Sequence, residues 1–342
     1  MVPIEWPIAG RSDDRGQLAA RRAGSDRLSV VRADFFLDSG QRLTEQERSL
    51  MTAMLGDLVQ VIADEIAAEL ALDQDGDGDF ALLEHLSATG LLDLPPLIAA
   101  LLRRAEEQRV ISVIRARQAG NGRRFLHRLV ADADPDVAAA AMALVLARSR
   151  RRDRFDSPRI DLDDVPAEAV VTLVYRIAAA IGRRSGTPER SLTDAAAKIL
   201  SGHDEGKRLE ALNFGLVHAL DRAGRLDEAA IAMAFDDGEA FIGVEALARA
   251  AGIEFETAWS LFVAGAPGLA RLLRLSGVSR QAAAELLSGL GDFIPGGPGE
   301  TIADFDSLSE EQVAGLRAWL RLHPAYRDAA IALKESDGHA PD

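Results

Sequence analysis

Apolar residues recur at every third or fourth position over most of the chain, as in helices with one buried face. In the segment after Thr44 the positions on this face are Met51, Leu55, Leu58, Ile62, Ile66 and Leu70. Thr44 and Glu47 have the spacing of a capping box, which marks a helix start. Ser309 and Gln312 have the same spacing before the final predicted helix. Because no segment alternates as a half-buried strand does, the pattern predicts an all-α fold.

Short helices follow one another along the whole chain. One is predicted over residues 80–88, with Gly90 as a usual residue just past its end. Asp134 and Pro135 precede an alanine-rich run, which looks like the first helix of a HEAT-type repeat. Paired helices of ~40 residues fit that class, although no strict period is evident. We therefore expect a HEAT-like helical repeat, or α-solenoid-type bundle, in two helical halves.

Changes in composition divide the chain. The stretch RSRRRDRFDSPRIDLDDVPAE is charged and contains Pro158 and Pro166, so it predicts a boundary or a long connection. The first residues lack apolar periodicity and predict a mobile tail. The predicted order is a disordered tail at 1–27, an N-terminal helical domain at 28–152, a connection at 153–166, a C-terminal helical domain at 167–335 and a disordered tail at 336–342.

Charge and composition narrow the function classes. The 342 residues carry a formal net charge of −15, which argues against a general nucleic-acid or anionic-membrane binder. With no cysteine, the chain has no disulfide and no thiol nucleophile. No apolar run has the ~18 residues of a membrane span, and the N-terminus lacks a signal-peptide core. We expect a cytoplasmic protein, and the common catalytic motifs are missing from the sequence.

The segment DQDGDGDFALLE, residues 73–84, has the ligand spacing of a calcium-binding EF-hand loop. Such a loop takes oxygen ligands at positions 1, 3, 5, 7, 9 and 12 and a glycine at position 6. The candidate metal ligands are Asp73, Asp75, Asp77, Asp79 (through its carbonyl) and Glu84. A partner loop of this spacing is missing from the sequence, and an acidic turn between helices is the alternative. Calcium binding, if present, is expected to be weak.

Arginine is concentrated in the middle of the chain, where residues 101–154 contain 13 arginines and 6 acidic residues. The densest cluster could bind phosphate or an acidic partner through bidentate guanidinium groups. Its members are Arg148, Arg150, Arg151, Arg152 and Arg154. The alternative is a solvated helix end, where cations complement the helix dipole, and the sequence favours this reading.

Two weaker candidates are better explained as structure. His203, Asp204 and Glu205 are adjacent in sequence, and adjacent residues do not share a helix face, so they form a poor ligand set. The segment LARLLRLSGVSRQAAAELL has the outline of a helix-turn-helix. Its second helix offers Arg280 as its only basic residue, which predicts a structural helical hairpin.

Several stretches together resemble a bacterial family of helical-repeat proteins known only as a domain of unknown function. They are RADFFLDSGQRLTEQERSLMTAMLGDLVQVI, LLRRAEEQRVISVIRAR, DADPDVAAAAMALVL and ALDRAGRLDEAAIAMAF. The resemblance covers most of the chain from about Arg32 and implies a HEAT-like architecture without established enzymatic activity. It supplies no functional residues, and the acidic loop at 73–84 is not part of the family's usual pattern.

These observations lead to one functional expectation and its alternatives. We expect a non-enzymatic scaffold or adaptor that binds an unidentified protein partner, with a weak calcium site at 73–84. The alternative is a nucleic-acid-associated regulator that uses the arginine-rich segment 101–154. An enzyme of unrecognised type, with titratable residues brought together from distant helices, is the third possibility.

Overall fold

The structure is a computed structural model, and it describes residues 44–72, 78–117, 124–154, 156–290 and 297–323, with a few positions from 325 to 333. The predicted tails at 1–27 and 336–342 lie outside these residues. The helices, numbered in chain order, are α1 Glu45–Glu69, α2 Gly78–Ala88, α3 Pro95–Arg117, α4 Arg124–Val130, α5 Pro135–Arg150, α6 Ala167–Ser185, α7 Glu189–Ser201, α8 Leu209–Arg222, α9 Glu228–Asp236, α10 Ala240–Ala251, α11 Phe255–Val263, α12 Ala266–Ser276, α13 Arg280–Leu290, α14 Gly297–Ser307 and α15 Glu310–Leu320.

The all-α prediction is confirmed. The described part of the chain contains helices, two short 3-10 turns and no β-strand. Its one isolated backbone bridge joins Arg152 and Pro158. None of the helices in the described ranges is both long and apolar enough to cross a membrane. The HEAT-like repeat remains a prediction.

The helix starts follow the capping residues of the sequence. Thr44 accepts a hydrogen bond from the Glu47 N–H, and the Glu47 side chain accepts one from the Thr44 N–H, which completes the predicted capping box. Ser309 and Gln312 form a second reciprocal box at α15. These side chains satisfy backbone N–H groups that the first turn of a helix leaves without partners. Two of the predicted helix boundaries are thereby confirmed.

The chain divides into two compact units that differ from the predicted domains. Of the described residues, the first unit comprises those from Thr44 to Val110 and those from Leu126 to Ala219. The second comprises those from Ile111 to Phe125 and those from Leu220 onward. The stretch 153–166, which the sequence predicts as a connection between domains, lies inside the first unit.

The reason lies in the buried residues of the proposed connection. Ile160 and Val165 are buried in the core of the first unit, and Asp164 is 1% exposed. The charge and the prolines of this stretch indicated a turn correctly. They could not reveal that Ile160 and Val165 pack into the core that α6 and α7 share with α1.

The core of the first unit is formed mainly by α1, α2, α3, α6 and α7. The predicted apolar face of α1 is confirmed, since five of its six positions are buried and Leu70 is half-buried against the same core. On α6, Leu173, Val174 and Ile177 are fully buried. Alanines on α6 and α7 let these helices pack closely, as a core of small and medium side chains requires.

The core of the second unit contains a group of aromatic rings. Phe241 packs edge-on against Trp259 at 4.6 Å between ring centroids and against Phe255 at 5.5 Å. Phe262 stacks on Phe235 at 5.7 Å. Such pairs stabilise beyond the area they bury. Although aromatic residues make up only 5% of the chain, five of them pack against one another in this unit.

Candidate functional site

The acidic stretch at 73–84 is described only in part. Asp73, Asp75 and Asp77 lie outside the described residues, as does the side chain of Asp79. Helix α2 begins at Gly78, two residues earlier than expected, so the Asp79 carbonyl belongs to a helical turn. Carbonyls in a helix ordinarily accept intrahelical hydrogen bonds, which sets this backbone apart from an open ligand loop. Glu84 is exposed on α2, and calcium binding remains a prediction.

Arg151, a predicted partner-binding residue, is buried within the first unit. Its guanidinium donates to Asp164 Oδ2 at 2.6 Å, to the Ala147 carbonyl at 3.1 Å and to the Lys207 carbonyl at 3.0 Å. Only 5% of the residue is exposed. This side chain therefore joins three segments of the first unit, and its predicted place in an exposed cluster is corrected.

Arg104 enters the same buried network from α3. Its Nη2 lies 2.8 Å from Glu210 Oε1 and 3.7 Å from Asp164 Oδ1, and its Nη1 lies 3.1 Å from Glu107 Oε2. Burial lowers the pKa of Arg104, but the three carboxylates outweigh it and raise that pKa. Burial likewise raises the pKa of Asp164, while Arg104, Arg151 and the Leu209 N–H together bring it below its usual value. Arg104 and Asp164 are therefore both charged at neutral pH.

The remaining members of the predicted cluster differ in their exposure. Arg148 is half-buried, whereas Arg150 and Arg154 are exposed. Arg152 pairs with Asp156 at 3.0 Å and donates to its carbonyl. Several arginines that gave the segment 101–154 its positive charge are thus committed to ion pairs within the chain.

The two weaker candidates behave as local structure. His203 contacts the Val165 carbonyl at 3.1 Å, Asp204 caps a short turn, and Glu205 accepts from the Ala167 N–H at 2.7 Å. Across the ranges described above, no group of three or more His, Asp or Glu is placed to hold a metal. In the predicted helical hairpin, α12 ends at Ser276 with Gly277 as its cap, and α13 begins at Arg280. Arg280 binds Asp306 through two nitrogens rather than standing free.

Helix α6 presents apolar side chains on two faces. One face is buried in the first unit. On the other, Val171 is 45% exposed and Tyr175 is 39% exposed. Large apolar side chains left exposed side by side on one helix commonly mark a binding surface.

These exposed residues line a groove with a volume of about 540 Å³. We call it the α6 groove. Its lining consists of His85, Leu91, Val171, Thr172, Tyr175, Arg176, Ala179, Ala180 and Arg183. Arg176 fixes part of one wall, because its guanidinium donates to the Leu91 carbonyl. The α6 groove combines an apolar floor with arginine side chains, and such apolar clefts with few polar groups are the usual form of binding sites.

Sequence reasoning missed the α6 groove. In AEAVVTLVYRIAAAIG the apolar residues cover more of the helix circumference than one core face requires. These additional apolar residues were the signal in the sequence for an exposed apolar surface. It could not show which residues would face the core, nor that His85 and Leu91 would form the second wall.

Comparison of the chain with protein-family models, with curated proteins and with solved structures gives no match. The resemblance to a helical-repeat family therefore remains a prediction.

Proposed function

We propose that this protein is a non-enzymatic helical scaffold that binds a protein partner through the α6 groove. The observation that supports this most is the exposure of Val171 and Tyr175 beside each other on a helix whose other face is fully packed. A rigid helix that presents apolar anchors over several turns suits a partner bound as a helix or an extended segment.

The buried ion network weakens the case for the alternative, a nucleic-acid-associated regulator. Arg104 and Arg151, from the arginine-rich segment, are held by carboxylates of the same unit. A nucleic-acid surface needs basic side chains that can reach phosphates. The scaffold proposal uses a surface that is accessible.

A capture experiment with matched variants tests the proposal. The bait is the full chain as wild type, as Val171→Asp and as Val61→Asp. Val61 is also 45% exposed in the first unit, but it lies on α1 and does not line the α6 groove. We expect a set of proteins retained by the wild type and by Val61→Asp and lost with Val171→Asp. Retention of the same proteins by Val171→Asp would contradict the proposal.

We also propose that Asp73, Asp75, Asp77 and Glu84 bind one calcium ion weakly. The support is the ligand spacing in the sequence, in a stretch that begins after α1 and ends within α2. Isothermal titration calorimetry with calcium should give heat that is lost in Glu84→Gln. An identical titration curve for the variant, or the absence of heat from the wild type, would reject the site. Repeating the capture with and without calcium shows whether the ion changes partner binding.

A further inference from the structure

We propose that the α6 groove binds an amphipathic, acidic helix whose carboxylates lie two helical turns apart. This inference rests on the proposed function of the α6 groove and specifies the chemistry of the partner. It follows from the charge of the lining, the length of the groove and the spacing of its arginines.

The lining of the α6 groove is cationic in a strongly acidic protein. Arg176 and Arg183 line it together with His85, and none of its nine lining residues is acidic. The whole chain carries −15, so this is a local reversal of sign. Within the described part of the chain, Arg183 is exposed and has no ion-pair partner. Such a surface attracts carboxylates and disfavours basic partners.

The groove is long enough for several turns of a helix. Its lining on α6 extends from Val171 to Arg183. Twelve steps of 1.5 Å along a helix correspond to roughly 18 Å, or more than three turns. Val171, Tyr175 and Ala179 follow at intervals of four and form a continuous apolar row. A partner helix therefore needs an apolar stripe of similar length.

The arginines set the spacing of the partner's carboxylates. Arg176 and Arg183 are seven residues apart, which places them on nearly the same side of α6 about 10 Å apart along its axis. Arg176 uses Nη1 for the Leu91 carbonyl, and a guanidinium has further N–H donors for a carboxylate. Two acidic residues seven positions apart on a partner helix would face these two cations.

Fluorescence anisotropy with defined peptides tests the inference. Three labelled helical peptides of about 14 residues share one leucine stripe and differ only at two flanking positions seven apart, which carry Glu, Gln or Lys. We expect the Glu peptide to bind wild-type protein about five-fold more tightly than the Gln peptide, and the Lys peptide to bind least. The Glu preference should disappear near 1 M salt, where the screening length falls to ~3 Å.

Variants separate this inference from the proposed function. Arg183→Gln should reduce the Glu preference and leave the Gln peptide unaffected, whereas Arg184→Gln, the neighbouring position outside the lining, should preserve the preference. Val171→Asp should weaken the binding of all three peptides. Equal binding of the Glu and Gln peptides to wild type, both weakened by Val171→Asp, would overturn the acidic-helix inference and leave the groove function standing. If none of the peptides binds, or if Val171→Asp does not change their binding, both the acidic-helix inference and the proposed groove function would be overturned.

Discussion

At the scale of single residues, Arg151 shows how a charge that looks available in the sequence becomes part of the core. It follows Arg150 directly, yet Arg150 is exposed and Arg151 is 5% exposed and bound to Asp164. A run of arginines cannot reveal which member turns inward, because this depends on a carboxylate thirteen residues later in the chain. The sequence therefore predicted a cluster, and the structure separates its members into buried and exposed groups.

Arg151→Ala should destabilise the first unit by ~3–5 kcal/mol, because it leaves Asp164 buried with one cation fewer. Arg150→Ala removes the same charge from an exposed position and should change the unfolding free energy by less than ~0.5 kcal/mol. Urea unfolding followed by circular dichroism measures both values. Equal effects of the two substitutions would show that the ion network does not stabilise the fold.

Glu245, 7% exposed on α10, gives the second unit a pH dependence. Burial raises its pKa to about 7 from a usual 4.5, while Arg249 acts in the opposite direction. Between these pH values the unfolded chain releases the proton and the folded chain keeps it. The contribution of Glu245 to the unfolding free energy therefore falls as pH rises through this range and remains low above it.

Glu245→Gln removes this titration. Relative to wild type, the unfolding free energy of the variant should rise by ~1–3 kcal/mol from pH 5 to pH 8. Denaturant unfolding at the two pH values measures the change. If the unfolding free energies of variant and wild type differ by the same amount at pH 5 and at pH 8, the pKa of Glu245 is not raised by folding.

At the scale of helices, the sequence predicted much of what was observed. Capping residues and apolar spacing located α1 and α15 because both signals act within a few residues of the chain. Contacts between helices could not be predicted from the sequence. Gly243 on α10 is an example, since an added Cβ there would lie 2.5 Å from the ring of Phe235 on α9. The close approach of α9 and α10 depends on that missing side chain.

Gly243→Ala should lower the unfolding free energy by ~1–3 kcal/mol, because the Phe235 ring would have to move within a packed aromatic core. The matched control is Gly315→Ala in the same unit, where an added Cβ meets no atom within 4 Å. That change should stabilise α15 by ~0.5–1 kcal/mol through the higher helix propensity of alanine. Thermal unfolding measures both changes. Midpoint temperatures that shift in the same direction in the two variants would contradict this account of the packing.

At the scale of the whole molecule, the fold class could be predicted and the division of the chain could not. Helical periodicity extends over most of the sequence after Thr44, so an all-α fold follows from local pattern. Which helices share a core depends on contacts between residues distant in the chain, and both units here are assembled from separate segments. The α6 groove belongs to the same class of feature, since its walls come from α6 and from residues about 80 positions earlier.

The central claim is that a partner protein lies in the α6 groove, and site-specific photo-crosslinking tests it most directly. A benzophenone amino acid replaces Tyr175 in the full chain, and in a control it replaces Phe214, which is 53% exposed on α8 of the same unit. The account predicts a crosslinked partner from position 175 that does not form from position 214 and is lost when Val171→Asp is added. The same adducts from both positions, or an adduct at 175 that survives Val171→Asp, would contradict it.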